Sequence, residues 1–346
     1  MRIGWRGALG ILLSVGFLAW AFHGVPWSRV WETLRGANVL LFLASATAAT
    51  AIFPLRARRW RTILDPIAPR LPLGVLWRST AIGMMINNVV PARAGEIARA
   101  YALTREAPAV PFPAAFASLA VDRLFDAVVL LLLMFASMLA PAFPKGAMVA
   151  GRPAAQLIGG WGTLAIVMLL VVLYLIVFFP ARIIAVFELF ARRVAPRFEV
   201  AGRNALTAFA NGLSVLRSPS RFAEVMFWTF LHWLTNAFAF WLGFKAVGLD
   251  APFSAALFLQ SLIAIGVALP SSPGFFGVFE KFAQVGLAGV YGFDETKAVS
   301  WAIGFHLLSF IPITLIGAWY FSRLGLSLSD VRGAAESGAT RESPAA

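Results

Sequence analysis

Long apolar stretches alternate with short arginine-rich segments along this chain of 346 residues. A helix needs roughly 20 apolar residues to cross about 30 Å of hydrocarbon, and the clearest stretch of that length covers residues 157–179. The other stretches of this kind cover residues 8–22, 38–55, 112–140, 222–247 and 298–321. The pattern predicts an all-α, polytopic integral membrane protein with about six full spans.

Two further apolar stretches are each interrupted by proline and glycine. The first break contains Pro91 and Gly95, and the second contains Pro270, Pro273 and Gly277. Within lipid, non-helical backbone persists only where it is buried in protein or lines a polar cavity. A matched pair of such breaks in corresponding positions of two halves indicates a transport site.

The arginine-rich segments 56–61 and 181–221 set the predicted orientation, because cytoplasmic loops carry an excess of Lys and Arg. With both segments inside, the chain divides into two repeats, about 5–141 and 157–323, that begin on opposite sides of the membrane. Each break then forms a re-entrant hairpin in an inverted repeat. Two complete crossings per hairpin would preserve the same topology and would give eight spans.

The two ends of the chain are expected in the cytoplasm. Arg2 and Arg6 precede the first apolar stretch, which predicts a first span, with a cleavable signal peptide as the alternative. The segment 181–221 is predicted to be amphipathic and cytoplasmic. After a membrane domain covering residues 1–324, the segment 325–346 is rich in Ser, Gly, Ala and charge, which predicts a disordered tail.

Composition supports the membrane class and excludes several chemistries. The chain is 60% hydrophobic and 13% charged, with a mean hydropathy of +0.80. The absence of cysteine excludes disulfides and thiolate metal sites. The net charge is +13, and the basic residues lie between the apolar spans. This arrangement is typical of cytoplasmic loops and favours anionic lipid over nucleic acid as the partner. No P-loop is present, so ATP-driven pumping and bound cofactors are not expected.

Polar residues around the first break are candidates for binding a headgroup. Arg93, Glu96 and Arg99 recur at three-residue spacing, which places them on one face of a short helix. Guanidinium groups match the geometry of phosphate, and a carboxylate between them can hold them in place. The alternative is a helix end whose arginines reach lipid headgroups. Asn88 could line the same pocket or cap the break.

Asp122, Arg123 and Asp126 lie about three turns into a predicted span, where uncompensated charge costs several kcal/mol. Asp122 and Asp126 share one helix face. They form either a gate or ion-coupling site, or a buried ion pair that fixes the helix register.

The second break resembles the start of a helix. Ser272 is predicted to cap it and Pro273 to occupy its first position, so that the helix would run from Gly274 onward with free amides facing a cavity. The alternative is a turn at the membrane surface. Glu280 is expected to face the cavity, whereas His232, His306 and Lys245 are interpreted as helix-contact residues.

The chain resembles the membrane-domain family of lysylphosphatidylglycerol synthases, also called flippase-like proteins, over about residues 5 to 323. The motifs that carry the resemblance are Arg58-Arg59-Trp60, Asn88-x-x-Pro91-x-Arg93-x-Gly95-Glu96-x-x-Arg99, Asp122-Arg123-x-x-Asp126 and Pro270-x-x-Pro273-Gly274-x-x-Gly277-x-x-Glu280. The resemblance implies an inner-membrane protein that handles lipids, with translocation of aminoacylated phosphatidylglycerol as the best-known activity. The full synthases carry a soluble domain after the membrane part, so synthesis of the lipid is not expected here.

These patterns together predict a transporter that moves or scrambles a lipid with an anionic or aminoacylated headgroup. The first alternative is a lipid-modifying transferase that uses Asp122 and Asp126 as a magnesium pair. The second is an accessory protein that docks lipid-biosynthesis enzymes through the segment 181–221. Those enzymes and further copies of the chain are the candidate protein partners.

Overall fold

The computed structural model describes residues 25–90, 94–149, 152–153, 178–194, 199–212, 218–268 and 273–331, with isolated positions at 16, 23, 160, 164, 167, 168, 171, 175, 196 and 333. The predicted first span and most of the predicted span 157–179 lie outside the described residues. So do residues 91–93 and 269–272 at the two breaks, which include the predicted site residues Pro91, Arg93, Pro270 and Ser272.

The described residues form eleven α-helices. They are α1 Trp27–Arg35, α2 Val39–Leu64, α3 Leu73–Val89, α4 Gly95–Glu106, α5 Phe112–Leu139, α6 Pro180–Val194, α7 Glu199–Gly212, α8 Pro219–Ala246, α9 Phe253–Ala268, α10 Val278–Gln284 and α11 Glu295–Arg323. A 3-10 turn at Pro273–Phe275 precedes α10, and a π-helical turn at Val285–Val290 follows it. Strands β1 Met148–Val149 and β2 Arg152–Pro153 form a two-residue antiparallel pair. The all-α class is confirmed.

The helices repeat in length along the chain. The series α2, α3, α4 and α5 has 26, 17, 12 and 28 residues. The series α8, α9 and α11 has 28, 16 and 29 residues, and α10 with its π-helical turn stands in the place of α4. Each half therefore contains a long helix, a broken pair of short helices and a second long helix.

The first long helices of the two halves, α2 and α8, pack against each other in opposite directions. Near one end, the hydroxyl of Ser45 donates to the carbonyl oxygen of Ala239 at 2.7 Å. Near the other end, Arg221 donates to Asp65 at 3.1 Å. Residue numbers thus fall along α8 as they rise along α2, which is the relation that an inverted repeat requires.

Two further contacts between the halves also correspond. Helix α3 packs against α11, where the amide of Asn88 donates to the hydroxyl of Thr314 at 2.7 Å. The corresponding helix α9 packs against α5, where the hydroxyl of Ser261 donates to the carbonyl oxygen of Leu130 at 2.9 Å. Each half therefore packs its broken pair against the last helix of the other half.

Among the described residues, two helices are long and apolar enough to span a membrane, Val39–Leu64 and Glu295–Arg323. Helices α5 and α8 have comparable lengths, and α5 carries Asp122, Arg123 and Asp126. The predicted count of six full spans is not established by these helices. The arms of the two broken pairs are shorter, with at most 17 residues each.

The prediction of a disordered tail from residue 325 is wrong for its first residues. Leu326 and Val331 are buried in a hydrophobic cluster with Ile82 and Ala102. Asp330 accepts a hydrogen bond from the backbone amide of Ser327, and the hydrogen bonds from Ser327 lower the pKa of that carboxyl. The chain after α11 therefore packs against the first broken pair as far as Val331.

Candidate functional site

A buried arginine of α2 holds together two carboxylates of α5. Nη2 of Arg59 lies 2.5 Å from Oδ1 of Asp122, and its Nη1 lies 2.6 Å from Oδ1 of Asp126. Asp122 and Asp126 share a helix face, as their four-residue spacing predicts. The side chains of Arg59 and Asp122 have no solvent exposure. Such a bridge satisfies charges that would otherwise be costly within a membrane.

Arg59 reaches this position because α2 does not end at Leu55. The sequence predicted that the apolar span stops there and that 56–61 forms a cytoplasmic anchor. Helix α2 instead continues to Leu64, and Trp60, Ile63 and Leu64 are buried with the arginines. Helix α2 therefore extends beyond the predicted end of the span, while the placement of residues 56–61 on the cytoplasmic side stays a prediction.

Two further arginines and an indole surround the two aspartates. Oδ2 of Asp122 lies 3.3 Å from Nη1 of Arg99 and 3.7 Å from Nη2 of Arg56. The indole of Trp233 donates to Oδ1 of Asp126 at 2.9 Å. The guanidinium of Arg99 also lies 4.0 Å from the ring centre of Trp60, a distance at which a cation is attracted to the face of an indole.

Among the described residues Glu96 has no ion pair with Arg99, whereas the three-residue spacing predicted that it holds the neighbouring arginines in place. It pairs instead with Arg123, whose Nη2 lies 2.8 Å from Oε1 of Glu96 and whose Nη1 lies 3.3 Å from Oδ2 of Asp126. Arg123 is the most exposed arginine of the group, with 41% of its side chain accessible. The two predicted charge motifs thus form one network that joins α4, α5 and α2.

A cavity of about 230 Å³ lies beside this network, between the two halves of the protein. It is lined by residues of α2, α3, α8, α9, α10 and α11 and of the second break. Most of its wall is apolar. Its polar lining residues are Arg56, Asn88, His232, Trp233, Asn236, Gln260, His306 and Ser309.

Arg56 is the arginine of the network that lines this cavity. Its side chain is 7% exposed, and its Nε and Nη2 atoms have no hydrogen-bond partner among the described residues. Its Nη1 contacts the sulfur of Met84 at 3.7 Å, which is a weak acceptor. A buried guanidinium with unused donors beside a cavity is suited to an anionic ligand.

The second break closes the other side of the cavity. Nδ1 of His306 lies 2.7 Å from Oε1 of Glu280, and Nε2 lies 2.8 Å from the carbonyl oxygen of Gly274. The histidine ring lies against Phe276 and Phe279, with ring centres 4.4 Å and 4.5 Å away. His306 therefore lies between the cavity and the carboxylate of Glu280.

Two predictions for this break are wrong. Helix α10 begins at Val278 and not at Gly274, because Gly274, Phe275 and Gly277 have φ near +65°, +62° and +86°. Gly277 is the N-cap, and its backbone amide donates to Oε2 of Glu280 at 2.7 Å. Glu280 is buried behind His306 and does not face the cavity. The group that the break presents to His306 is a carbonyl oxygen, not a free amide.

The predicted site residues thus divide into two layers. Asn88 and Gly274 line the cavity. The charged residues form the layer behind them; these are Glu96, Arg99, Asp122, Arg123, Asp126 and Glu280. Gly95 belongs to neither layer. Its amide donates to the side chain of Asn87 at 2.9 Å where α4 crosses α3.

Four site residues escaped prediction from sequence: Arg56, Arg59, Trp233 and His306. A signal was available for the arginines, because Ala57, Trp60 and Ile63 continue the helical period of α2 beyond Leu55. For Trp233 and His306 the sequence offers no such signal, since their partners come from other helices.

A second pocket, of about 220 Å³, lies where α2 and α8 meet near Asp65. Its lining residues are Arg58, Arg61, Thr62, Asp65, Arg221 and Glu224. Arg58 donates to Glu224 at 2.6 Å, and Arg221 donates to Asp65 at 3.1 Å. Both carboxylates of this pocket are therefore already paired.

Comparison with known proteins gives matches along nearly the whole chain. The family described as the lysylphosphatidylglycerol synthase TM region matches residues 7–317. Two UPF0104 membrane proteins of Methanothermobacter thermautotrophicus are each 24% identical, over 89% and 91% of this chain and 88% and 91% of their own lengths. The glycosyltransferase AglD of Haloferax volcanii is 38% identical over 117 residues, which are 34% of this chain and 19% of AglD. The chain thus covers about a fifth of AglD.

Proposed function

Since this chain belongs to the family of the lysylphosphatidylglycerol synthase TM region and is a membrane protein, we propose that it moves a lipid with a charged headgroup between the leaflets of the inner membrane. The observation that carries the proposal is Arg56, a buried guanidinium with unused donors at the wall of a cavity between the two halves. In this proposal Arg56 binds the phosphate of the headgroup.

The charge balance behind the cavity supports an anionic ligand. The network has one more guanidinium than carboxylates, its members being Arg56, Arg59, Arg99 and Arg123 against Glu96, Asp122 and Asp126. Arg59 is held directly between two aspartates, whereas Arg56 lies 3.7 Å from Asp122. The surplus positive charge therefore falls at the residue that lines the cavity. A phosphate there would accept hydrogen bonds from the free donors of Arg56 and would compensate the surplus positive charge.

The size of the cavity fits a headgroup and not a whole lipid. Pockets for drug-sized ligands have about 300–1,000 Å³, and this cavity has about 230 Å³. In the proposal the polar headgroup enters the cavity while the acyl chains stay in the hydrocarbon region. The apolar wall, which includes Ile52, Phe53 and Ile263, would separate the headgroup from the lipid tails.

The lengths of the broken helices support re-entrant hairpins in an inverted repeat. Helix α4 has 12 residues, and a helix of that length is about 18 Å long at 1.5 Å per residue. The hydrocarbon core is about 30 Å thick. The antiparallel packing of α2 and α8 adds to this support, since corresponding helices of an inverted repeat run in opposite directions. Both termini lie in the cytoplasm in this proposal.

Helix α6 is proposed to lie along the inner membrane surface and not to dock a partner enzyme. Val186, Leu189 and Phe190 are exposed on it, while Arg192 and Arg193 lie in its last turn. Large apolar side chains exposed beside arginines are typical of a helix that lies in the interfacial plane of a membrane.

A second candidate function is transfer of a sugar or other group to a lipid, which the similarity to the glycosyltransferase AglD favours. The contacts of the two aspartates weigh against their use as a magnesium pair. Asp122 contacts three arginines, and Asp126 contacts Arg59 and Arg123. A metal ion would have to displace these guanidinium groups before it could bind.

Transbilayer exchange of labelled lipids in reconstituted vesicles tests the proposal. The vesicles contain one labelled lipid each, from a panel with anionic, zwitterionic, aminoacylated and phosphate-free headgroups. The proposal predicts faster exchange than in protein-free vesicles for at least one phosphate-bearing lipid, and no acceleration for the phosphate-free lipid. Unchanged exchange across the whole panel would refute it.

A further inference from the structure

We propose that Glu280 and His306 form a proton-binding site that holds the turn Pro273–Gly277 against the cavity, and that loss of the proton releases this turn. This inference rests on the proposed function, because it links the proton to lipid movement. It concerns Glu280 and His306. The hydrogen bonds of these two residues are not explained by the binding of a headgroup to Arg56.

The geometry fixes the number of protons on the pair. The carbonyl oxygen of Gly274 can only accept, so Nε2 of His306, at 2.8 Å, must carry a hydrogen. Nδ1 then lies 2.7 Å from Oε1 of Glu280, a distance that requires one proton between the two atoms. That proton resides on either partner, as an imidazolium beside a carboxylate or a neutral imidazole beside a carboxylic acid. Both arrangements are neutral overall.

Removal of this proton breaks the contact. Without it, a lone pair of Nδ1 faces a lone pair of Oε1 at 2.7 Å, and the pair carries one negative charge. Both side chains are buried, with 2% and 9% exposure for Glu280 and His306, so little water is present to separate these groups. The deprotonated pair is therefore expected to move apart.

The pair is connected to the backbone of the break on both sides. Oε2 of Glu280 accepts from the amide of Gly277, which caps α10, and His306 donates to the carbonyl oxygen of Gly274. Both glycines have positive φ. Separation of His306 from Glu280 would therefore release the turn Pro273–Gly277, which forms part of the cavity wall.

Few other charges face this pair among the described residues. Helix α2 contributes Arg56 and α8 contributes His232 to the same cavity, whereas the polar lining residues of α3 and α9, Asn88 and Gln260, are uncharged. Lys281 follows Glu280 in α10, and its Nζ contacts Oε1 of Gln284 at 2.7 Å. Among the described residues, Arg56 at the cavity wall and Lys281 next to Glu280 are the fixed positive charges on these elements.

Two variants of the pair separate a proton site from a structural contact. In Glu280→Gln, the amide can donate to Nδ1 of His306 while its oxygen accepts from Gly277, so the variant mimics the protonated pair without a titratable proton. His306→Ala removes the contact altogether. Glu295→Gln is the matched control, since Glu295 is an exposed carboxylate in the first turn of the helix that carries His306.

Lipid exchange in vesicles is measured between about pH 5 and pH 8, the range in which histidine titrates. The wild type and Glu295→Gln are expected to accelerate with rising pH. Glu280→Gln should remain at the slow rate and His306→Ala at the fast rate, both without pH dependence. The same pH dependence in all four proteins, or equal loss of exchange in both variants of the pair, would overturn the proposal.

Alkylation of a thiol at the cavity wall measures release of the turn Pro273–Gly277 independently of lipid transport. Ser309→Cys places a single cysteine at the cavity wall of a chain that has none, and Ser329→Cys serves as the exposed reference. The rate of alkylation at Ser309→Cys relative to the reference should rise roughly tenfold over the same pH range, as a minor open state becomes populated. Glu280→Gln should abolish the rise. If the alkylation rate rises with pH but no lipid exchange is detected, the transport function alone is refuted. If the alkylation rate does not rise, the proposal that Glu280 and His306 hold the turn through a proton is refuted.

Discussion

Nη1 of Arg59 lies 2.6 Å from Oδ1 of Asp126, and this ion pair joins two helices whose contacting residues are 67 positions apart in sequence. Both side chains are buried. The same guanidinium also contacts Asp122, so one arginine compensates two carboxylates inside the protein. The network behind the cavity depends on this residue for its charge balance.

Replacement of Arg59 should therefore destabilise the protein strongly. Arg59→Leu leaves two buried aspartates with less compensation, which typically costs about 3–5 kcal/mol. Thermal unfolding in detergent micelles measures the effect. Arg105→Leu is the control, since Arg105 is exposed on α4 and its replacement should change stability by less than about 0.5 kcal/mol. Equal melting temperatures of wild type and Arg59→Leu would contradict the assigned network.

The course of the helices was largely predictable from the sequence, whereas the partners of their charges were not. Hydropathy and the Pro-Gly breaks indicated the long helices α5, α8 and α11 and the interruptions between them. The rule that places arginine clusters on the cytoplasmic side does not predict which of them are buried, as Arg56 and Arg59 are. It counts charges and does not consider which face of a continuing helix each side chain occupies.

The second break shows how competing local signals can mislead. Ser272 and Pro273 are typical of a helix start, but three residues with positive φ delay the helix to Val278. Glu280 at the third helical position accepts from the amide of the N-cap Gly277, which is the one half of a capping box that a glycine cap permits. The pairing of Glu280 with His306 depends on how α10 packs against α11, and no local pattern encodes it.

Packing within the first broken pair can be tested at Gly95. A Cβ atom there would lie 2.0 Å from the carbonyl oxygen of Gly83 and 2.5 Å from the side chain of Asn87. Gly95→Ala should therefore destabilise the protein by about 1–3 kcal/mol through overpacking, as measured by thermal unfolding. Gly289→Ala is the control, because no atom lies within 4 Å of the added carbon. If both variants melt alike, α3 and α4 do not cross as described.

The opposite directions of α2 and α8 can be tested by cross-linking. Because the chain lacks cysteine, Ser45→Cys with Ala239→Cys introduces the only two thiols. These positions lie together in the structure, so mild oxidation should form a disulfide within one chain. Ser45→Cys with Phe227→Cys is the control; Phe227 is 12 residues from Ala239, about 18 Å along the helix, and should not cross-link. Efficient cross-linking of the control pair alone would contradict the antiparallel packing.

The binding of the lipid phosphate by Arg56 is tested by phospholipid exchange in vesicles. The vesicles contain equal amounts of wild type, Arg56→Gln or Arg105→Gln. A hydrogen bond to a charged group contributes about 1.5–3 kcal/mol, which corresponds to a loss of roughly 10- to 150-fold when it is removed. Arg56→Gln is expected to show such a loss with little change in melting temperature, and Arg105→Gln is expected to retain wild-type exchange. Wild-type exchange by a folded Arg56→Gln variant would contradict the claim that this cavity binds the lipid phosphate.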